Sequence, residues 1–226
     1  FYCYFRIAKT NEKINFSVPT GNFGDVYAGY ISKKMGLPIN KLIVATNKND
    51  ILKRVIRTGL YKPSRVQHTI SPSMDIQIAS NFERVIFDLN SCDSEKTKKL
   101  MNDLKIKGKF QLEDKELNKI KKIFLSEKLS EEETKSTIKK IYNQEGILVD
   151  PHTAIGIGVS YKLGLKEKTV VLATAHPSKF SNAVMDATNI EPELPENLKD
   201  ILFKKEKYDK LDKDIDKIKD YILDKK

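Results

Sequence analysis

The sequence has few cysteines, few arginines and no long apolar run. Its two cysteines, Cys3 and Cys92, match no metal-binding or redox spacing, so we expect two reduced thiols in a cytoplasmic protein. No apolar run approaches the roughly 18 residues needed to span a bilayer. The opening FYCYFRIAKT has neither the basic start nor the long apolar core of a secretory signal. These absences argue against a membrane role.

Arginine is scarce although the chain is basic. The net charge is +10, from 41 basic and 31 acidic residues. Only Arg6, Arg54, Arg57, Arg65 and Arg84 are arginines. Proteins that bind nucleic acids favour arginine, because its planar guanidinium group binds phosphates and bases with two hydrogen bonds. Here the excess is lysine interleaved with acids, as in KKEKYDKLDKDIDKIKDYILDKK, which is typical of a solvated helix face. We therefore expect no nucleic-acid partner.

The first 90 residues have the pattern of an α/β protein. Residues 14–18 and 41–46 are predicted strands, and residues 26–35 form a predicted helix closed by Gly36. Asp50 is predicted to cap a second helix, and Asp75 is also interpreted as a helix cap rather than a catalyst. Strands and helices that alternate with short connections predict a parallel sheet.

The remaining chain divides by composition. Residues 1–90 and 146–190 are predicted to form one α/β domain, with residues 91–145 as a Lys/Glu-rich helical insertion between them. In the second part of that domain we predict a helix over 152–163, a strand over 169–173 and a helix over 178–187. Residues 191–226 are predicted to be C-terminal amphipathic helices, with apolar residues at helical spacing from 198 to the end.

The turn in SVPTGNFGD, residues 17–25, is a candidate anion site. Gly21 and Gly24 lie between a predicted strand and a predicted helix, where backbone N–H groups lack helical acceptors. Glycine permits a ligand to approach the backbone closely, and the Asn22 amide offers a further donor. By spacing alone, a structural turn around a buried Phe23 remains an equal alternative.

Several segments together resemble the threonine synthase family. They are SVPTGNFGD (17–25), TNKND (46–50), SPSMDI (71–76), SNFER (80–84), DPHTA (150–154) and TAHPSKF (174–180). The segments follow the family order and cover residues 1–190. The resemblance implies a pyridoxal-phosphate (PLP) enzyme of fold type II, similar to the tryptophan synthase β subunit. The implied fold class is a three-layer α/β sandwich with a parallel sheet, of which this chain holds part.

The resemblance also implies a reaction and a set of site residues. The reaction converts O-phospho-L-homoserine and water to L-threonine and phosphate. The residues implied to bind the cofactor are Gly21, Asn22, Phe23, Gly24, Asp25 and Thr174. Thr174 is expected to face the pyridine nitrogen, and Lys179 is a candidate contact for the anionic substrate. His152 is expected to pack at a helix start.

One part of the family pattern has no counterpart in the sequence. The Schiff-base lysine of the family precedes the glycine turn, and neither Lys9 nor Lys13 lies in matching surroundings. We therefore expect the chain to be a C-terminal half that needs the N-terminal half as its partner and is inactive alone. A non-catalytic anion-binding or interaction module that retains the fold is the alternative. A basic protein that binds RNA or acidic lipid is a third reading, which the lysine pattern disfavours.

Overall fold

A computed structural model describes residues 1–225. The strands are β1 (Ile14–Pro19), β2 (Ile39–Thr46), β3 (Leu60–Tyr61), β4 (Phe110–Gln111), β5 (Phe124–Lys128) and β6 (Thr169–Val171). The helices are α1 (Tyr2–Ile7), α2 (Gly24–Lys34), α3 (Ile51–Thr58), α4 (Phe82–Leu89), α5 (Ser94–Lys107), α6 (Asp114–Ile123), α7 (Glu131–Glu145), α8 (Pro151–Leu163), α9 (Ser181–Thr188) and α10 (Ile215–Asp224). The predicted strand–helix alternation from residue 14 to residue 58 is confirmed.

A parallel sheet with the strand order β5-β2-β1-β6 forms the centre of the fold. Successive side chains of a strand point to opposite faces of its sheet. In β2, Leu42 and Val44 therefore join the core beneath α2, α3 and α6, whereas Ile43 and Ala45 join the core beneath α8. Helices on both faces give the three-layer α/β sandwich that the family resemblance implies. β3 and β4 form a separate antiparallel pair.

The region predicted to be a helical insertion contributes a strand to the sheet, so that prediction is wrong. β5 pairs in parallel with β2 from Leu42–Phe124 to Thr46–Lys128. Its first residue, Phe124, is 1% exposed, and its ring lies 5.6 Å from that of Phe23 and 6.0 Å from that of Tyr30. Phe1–Pro192 is accordingly one compact unit without boundaries at 91 or 146.

The predicted C-terminal helix is much shorter than its apolar spacing suggests. In the second compact unit, Glu193–Lys226, two short 3-10 turns at Glu196–Leu198 and Ile201–Phe203 precede α10. The Asp214 carboxylate accepts the backbone N–H groups of Asp216 and Lys217 and starts α10 there. The short aspartate side chain accepts hydrogen bonds from free backbone N–H groups. It therefore favours the start of a helix at its own position over a helix that continues through it. Lys226, the last residue of the predicted helix, lies outside the described residues.

Within residues 1–225, none of the helices combines the length and the apolar character that crossing a bilayer requires.

Candidate functional site

The glycine turn joins the carboxyl end of β1 to the start of α2. The Thr20 N–H group donates to the carbonyl oxygen of Ala45 at 2.8 Å, so the turn leaves the sheet beside the end of β2. Phe23 adopts a left-handed conformation, with φ +70°. Its buried ring lies edge-on to Phe82 at 5.2 Å and to Phe124 at 5.6 Å. Phe23 is thus buried as predicted, and the packing of its ring fixes the backbone of the turn.

The same turn presents free backbone donors. Among the described residues, no protein acceptor lies opposite the N–H groups of Gly21, Asn22, Phe23 and Asp25. The Gly24 N–H group is used internally, since it donates to Asn22 Oδ1 at 2.9 Å. Unpaired N–H groups at a helix start carry partial positive charge and attract anions. A buried structural turn and a candidate anion site are therefore compatible with each other at this position.

A cavity of about 200 Å³ lies in front of this turn and brings together most of the sequence-predicted site residues. Its lining comprises Pro19, Gly21, Asn22, Asp25, Ser73, Met74, His152, Thr174, Ala175, Lys179 and Phe180. Two residues of the predicted set, Phe23 and Gly24, do not line the cavity. The Phe23 side chain belongs to the core, and the Gly24 N–H group is already bonded.

Gly21 has a steric requirement for glycine. A Cβ atom at Gly21 would lie 2.6 Å from the backbone oxygen of Ser73 and 3.3 Å from the Cα atom of Met74. The turn and the segment that contains Ser73 are therefore in contact, and together they form one side of the cavity. Free amides beside a close-packed glycine suit the phosphate group of a cofactor.

Asp25 adds a negative charge to the cavity lining. A carboxylate in the first turn of α2 stabilises the helix start. The same charge would repel a bound anion, so the backbone N–H of Asp25, rather than its side chain, is the group that suits a phosphate.

Thr174 and Lys179 reach the cavity from the segment that follows β6. Thr174 lies three residues beyond the end of the strand, and its N–H group donates to Thr153 Oγ1 at 3.3 Å. Its side chain is exposed toward the cavity. Lys179 belongs to a short 3-10 turn, Pro177–Phe180, that His176 caps through Nδ1. The exposed ammonium group of Lys179 has no acceptor among the described residues.

His152 has polar partners that sequence reasoning did not identify. It lies at the start of α8, as expected, and is 3% exposed. Its Nδ1 atom is 2.8 Å from Asp150 Oδ1, and its Nε2 atom is 3.2 Å from the backbone nitrogen of Ser73. Since the Ser73 N–H group can only donate, Nε2 accepts and Nδ1 carries the proton. The DPHTA segment was recognised only as part of a family pattern.

Asp150 is fully buried at the N-terminus of α8. Burial raises the pKa of its carboxyl group, but hydrogen bonds from His152 and Thr153 outweigh that effect, so the pKa lies below the ordinary value. Asp150 is therefore ionised inside the protein.

Asp50 and Asp75 lie at cap positions of helical segments, but their carboxylates bind other groups. Asp50 occupies the N-cap position of α3 without a capping hydrogen bond and pairs instead with Arg54 and Lys128. Asp75 accepts hydrogen bonds from Asn47, Asn49 and Thr69. These hydrogen bonds, rather than a capping bond, occupy the Asp75 carboxylate. The donors lie just after β2 and at residue 69, and they hold the segment that carries Ser73.

A parallel α/β sandwich of this kind matches part of the architecture of PLP enzymes of fold type II. Within that class of enzymes, the proteins that this chain is similar to are threonine synthases. The family model described as "Threonine synthase, C-terminal" matches residues 153–222. A threonine synthase from Pseudomonas aeruginosa is 39% identical over 98% of this chain and 48% of its own length.

Solved structures agree with the sequence matches. The structure of PLP-bound threonine synthase from Brucella melitensis has a TM-score of 0.90 and 42% identity, covering 98% of this chain and 48% of that one. Yeast threonine synthase has a TM-score of 0.85 and 40% identity, covering 98% and 49%. The chain is similar to threonine synthases over nearly its whole length, which confirms the resemblance of its motifs. It spans about half the length of the curated relatives that it matches.

Proposed function

We propose that this chain is the C-terminal half of a threonine synthase. The complete enzyme would use PLP to convert O-phospho-L-homoserine and water to L-threonine and phosphate. The observation that carries the proposal is the set of unpaired N–H groups of Gly21, Asn22 and Asp25, residues that line the same cavity as Thr174 and Lys179. Homology to threonine synthases supports the choice of reaction.

The proposal gives each group a role that its chemistry suits. The N–H groups of Gly21, Asn22, Phe23 and Asp25 hold the cofactor phosphate, with the α2 dipole behind them. Thr174 offers a neutral hydroxyl to the pyridine nitrogen, which does not force the ring to remain protonated. Lys179 offers a cation to the phosphorylated substrate. PLP, when bound, supplies the electron sink for the reaction.

The amine that holds the cofactor is assigned to the other half of the enzyme. The curated relatives are about twice as long as this chain. We propose that the Schiff-base lysine lies in a part of the protein that corresponds to the N-terminal half of these relatives. The chain therefore provides a phosphate cradle and a ring contact, and its partner provides the nucleophile.

We also propose a cytoplasmic location and no nucleic-acid partner. Two free cysteines, both exposed, suit a reducing compartment. The arginine-poor basic charge suits solvated lysines rather than a base-reading surface.

The test is turnover by the protein encoded by the complete reading frame. Purified with PLP, it is expected to release phosphate from O-phospho-L-homoserine and to form threonine in equal amounts. Residues 1–226 alone are expected to show no turnover, because the amine nucleophile is absent. Release by the complete protein would be measured with a phosphate assay and threonine by chromatography. A complete protein that binds PLP but forms no threonine would contradict the proposal and favour a non-catalytic anion-binding module.

The role of Lys179 is tested in the same assay. Lys179→Met is expected to raise KM for O-phospho-L-homoserine about tenfold, the loss of one charge-assisted contact. Lys166→Met is the matched control, because Lys166 is exposed but does not line the cavity. Equal KM values for the two variants would remove Lys179 from the substrate site.

A further inference from the structure

One buried carboxylate connects two walls of the cavity that are far apart in sequence. Asp150 Oδ1 accepts hydrogen bonds from the backbone N–H and from Nδ1–H of His152, both at 2.8 Å. Asp150 Oδ2 accepts the hydroxyl of Thr153 and, at 3.4 Å, its backbone N–H. Both carboxylate oxygens are thus fully engaged at the start of α8.

The first connection runs through His152 to Ser73. Because Asp150 takes the Nδ1 proton, Nε2 is left as an acceptor and faces the Ser73 N–H group at 3.2 Å. Ser73 in turn lies against Gly21. This bond therefore sets the position of the segment that contacts the anion-binding turn. The ring of His152 also packs on Phe180, at a centroid distance of 4.6 Å, on the same cavity.

The second connection runs through Thr153 to Thr174. Because the Thr153 hydroxyl donates its only proton to Asp150, its oxygen is left to accept the Thr174 N–H group at 3.3 Å. That bond anchors the backbone of the segment after β6. Thr174 itself is exposed and lines the cavity.

We infer that Asp150 is a positioning residue that orients His152 and Thr153, so that Ser73 and Thr174 are held in place at the lining of the site. The identity of the bound ligand rests on the proposed function, but the two connections exist in the protein itself. Asp150, His152 and Thr153 are each at most 5% exposed, so their partners face little competition from water. None of the three is assigned a chemical step.

Hydrogen exchange in the complete protein without cofactor separates the two connections. His152→Phe keeps a ring beside Phe180 but has no acceptor for the Ser73 N–H group. Thr153→Val keeps the shape but has no hydroxyl. We expect His152→Phe to accelerate exchange roughly tenfold in peptides over 71–76 only, and Thr153→Val to do so over 172–176 only. Exchange would be measured by mass spectrometry, with the unchanged segment as the internal control.

Asp150→Ala is expected to accelerate exchange in both segments. If Asp150→Ala does not fold, the two single variants decide the matter. Acceleration of both segments by either single variant, or of neither segment, would overturn the inference. These measurements need no turnover, so they are independent of whether the complete protein forms threonine.

A functional readout distinguishes positioning from general stability. With active complete protein, Thr153→Val is expected to lower kcat about tenfold with little change in KM, because Thr174 faces the cofactor ring in the proposal. Thr153→Ser, which retains the hydroxyl, is expected to restore kcat. A Thr153→Ser variant as slow as Thr153→Val would contradict a role for this hydrogen bond.

Discussion

Gly21→Ala is expected to weaken PLP binding by the complete protein about tenfold or more. The added Cβ atom would lie 2.6 Å from the Ser73 carbonyl oxygen, which is backbone and cannot rotate away. Overpacking of this kind costs about 1–3 kcal/mol, and 1.4 kcal/mol is a factor of ten in a binding constant. The strain would separate the turn from the Ser73 segment, which together form one side of the cavity in which the proposal places the cofactor. The measurement is a PLP titration followed by absorbance.

Gly24→Ala is the matched control for this experiment. A Cβ atom at Gly24 would meet only side-chain atoms, Asn22 Oδ1 at 3.0 Å and Asn81 Nδ2 at 3.5 Å, which can move. We expect its effect on PLP affinity to be several times smaller than that of Gly21→Ala. Equal affinities for wild type and Gly21→Ala would show that the contact between the turn and Ser73 is irrelevant to the cofactor.

Deletion of residues 91–145 is expected to abolish cooperative unfolding of Phe1–Pro192. A separate insertion would be dispensable, but this segment supplies β5 and buries Phe124 against Phe23, directly behind the anion-binding turn. The deletion leaves one edge of β2 without its parallel partner and exposes the core beneath α2 and α3. Thermal unfolding followed by circular dichroism tests this expectation.

A point variant and a second deletion complete the experiment. Phe124→Ala is expected to reduce the free energy of unfolding by about 3–5 kcal/mol, as large-to-small changes of buried aromatics do. Removal of residues 193–226, a separate compact unit, is expected to leave a cooperative transition in the remainder. A sharp transition after deletion of 91–145 would show that the sheet does not need β5.

The difference between the predicted and observed fold at β5 has a physical cause. Phe124 is both the C-cap of α6 and the first residue of β5, so no glycine or proline marks the change from helix to strand. Because β5 is an edge strand, only Phe124 is buried and the following residues are half-buried. An edge strand tolerates the polar residues Ser126, Glu127 and Lys128. The same residues are also typical of the surface of a helix, so the sequence does not indicate a strand here.

Some residues of the candidate site can be predicted from the sequence, and others cannot. Local patterns predict a turn with free N–H groups as a candidate anion site, because strand, glycines and helix are adjacent in the chain. Family motifs brought Thr174 and Lys179 into the candidate set. The bonds through His152 and Thr153 join residues 79 and 21 positions apart, and neither periodicity nor spacing indicates such pairs. The partners of the Asp75 carboxylate are missed for a similar reason, since Asn47 and Asn49 reach it only in the folded chain.

The N–H groups of Gly21, Asn22, Phe23 and Asp25 are proposed to bind the phosphate group of PLP. A crystal structure of the complete protein with PLP tests this proposal most directly. The account predicts phosphate oxygens within hydrogen-bonding distance of the N–H groups of Gly21, Asn22, Phe23 and Asp25, and the pyridine nitrogen beside the Thr174 hydroxyl. Phosphate density elsewhere, with those N–H groups bonded to the protein, would contradict the account.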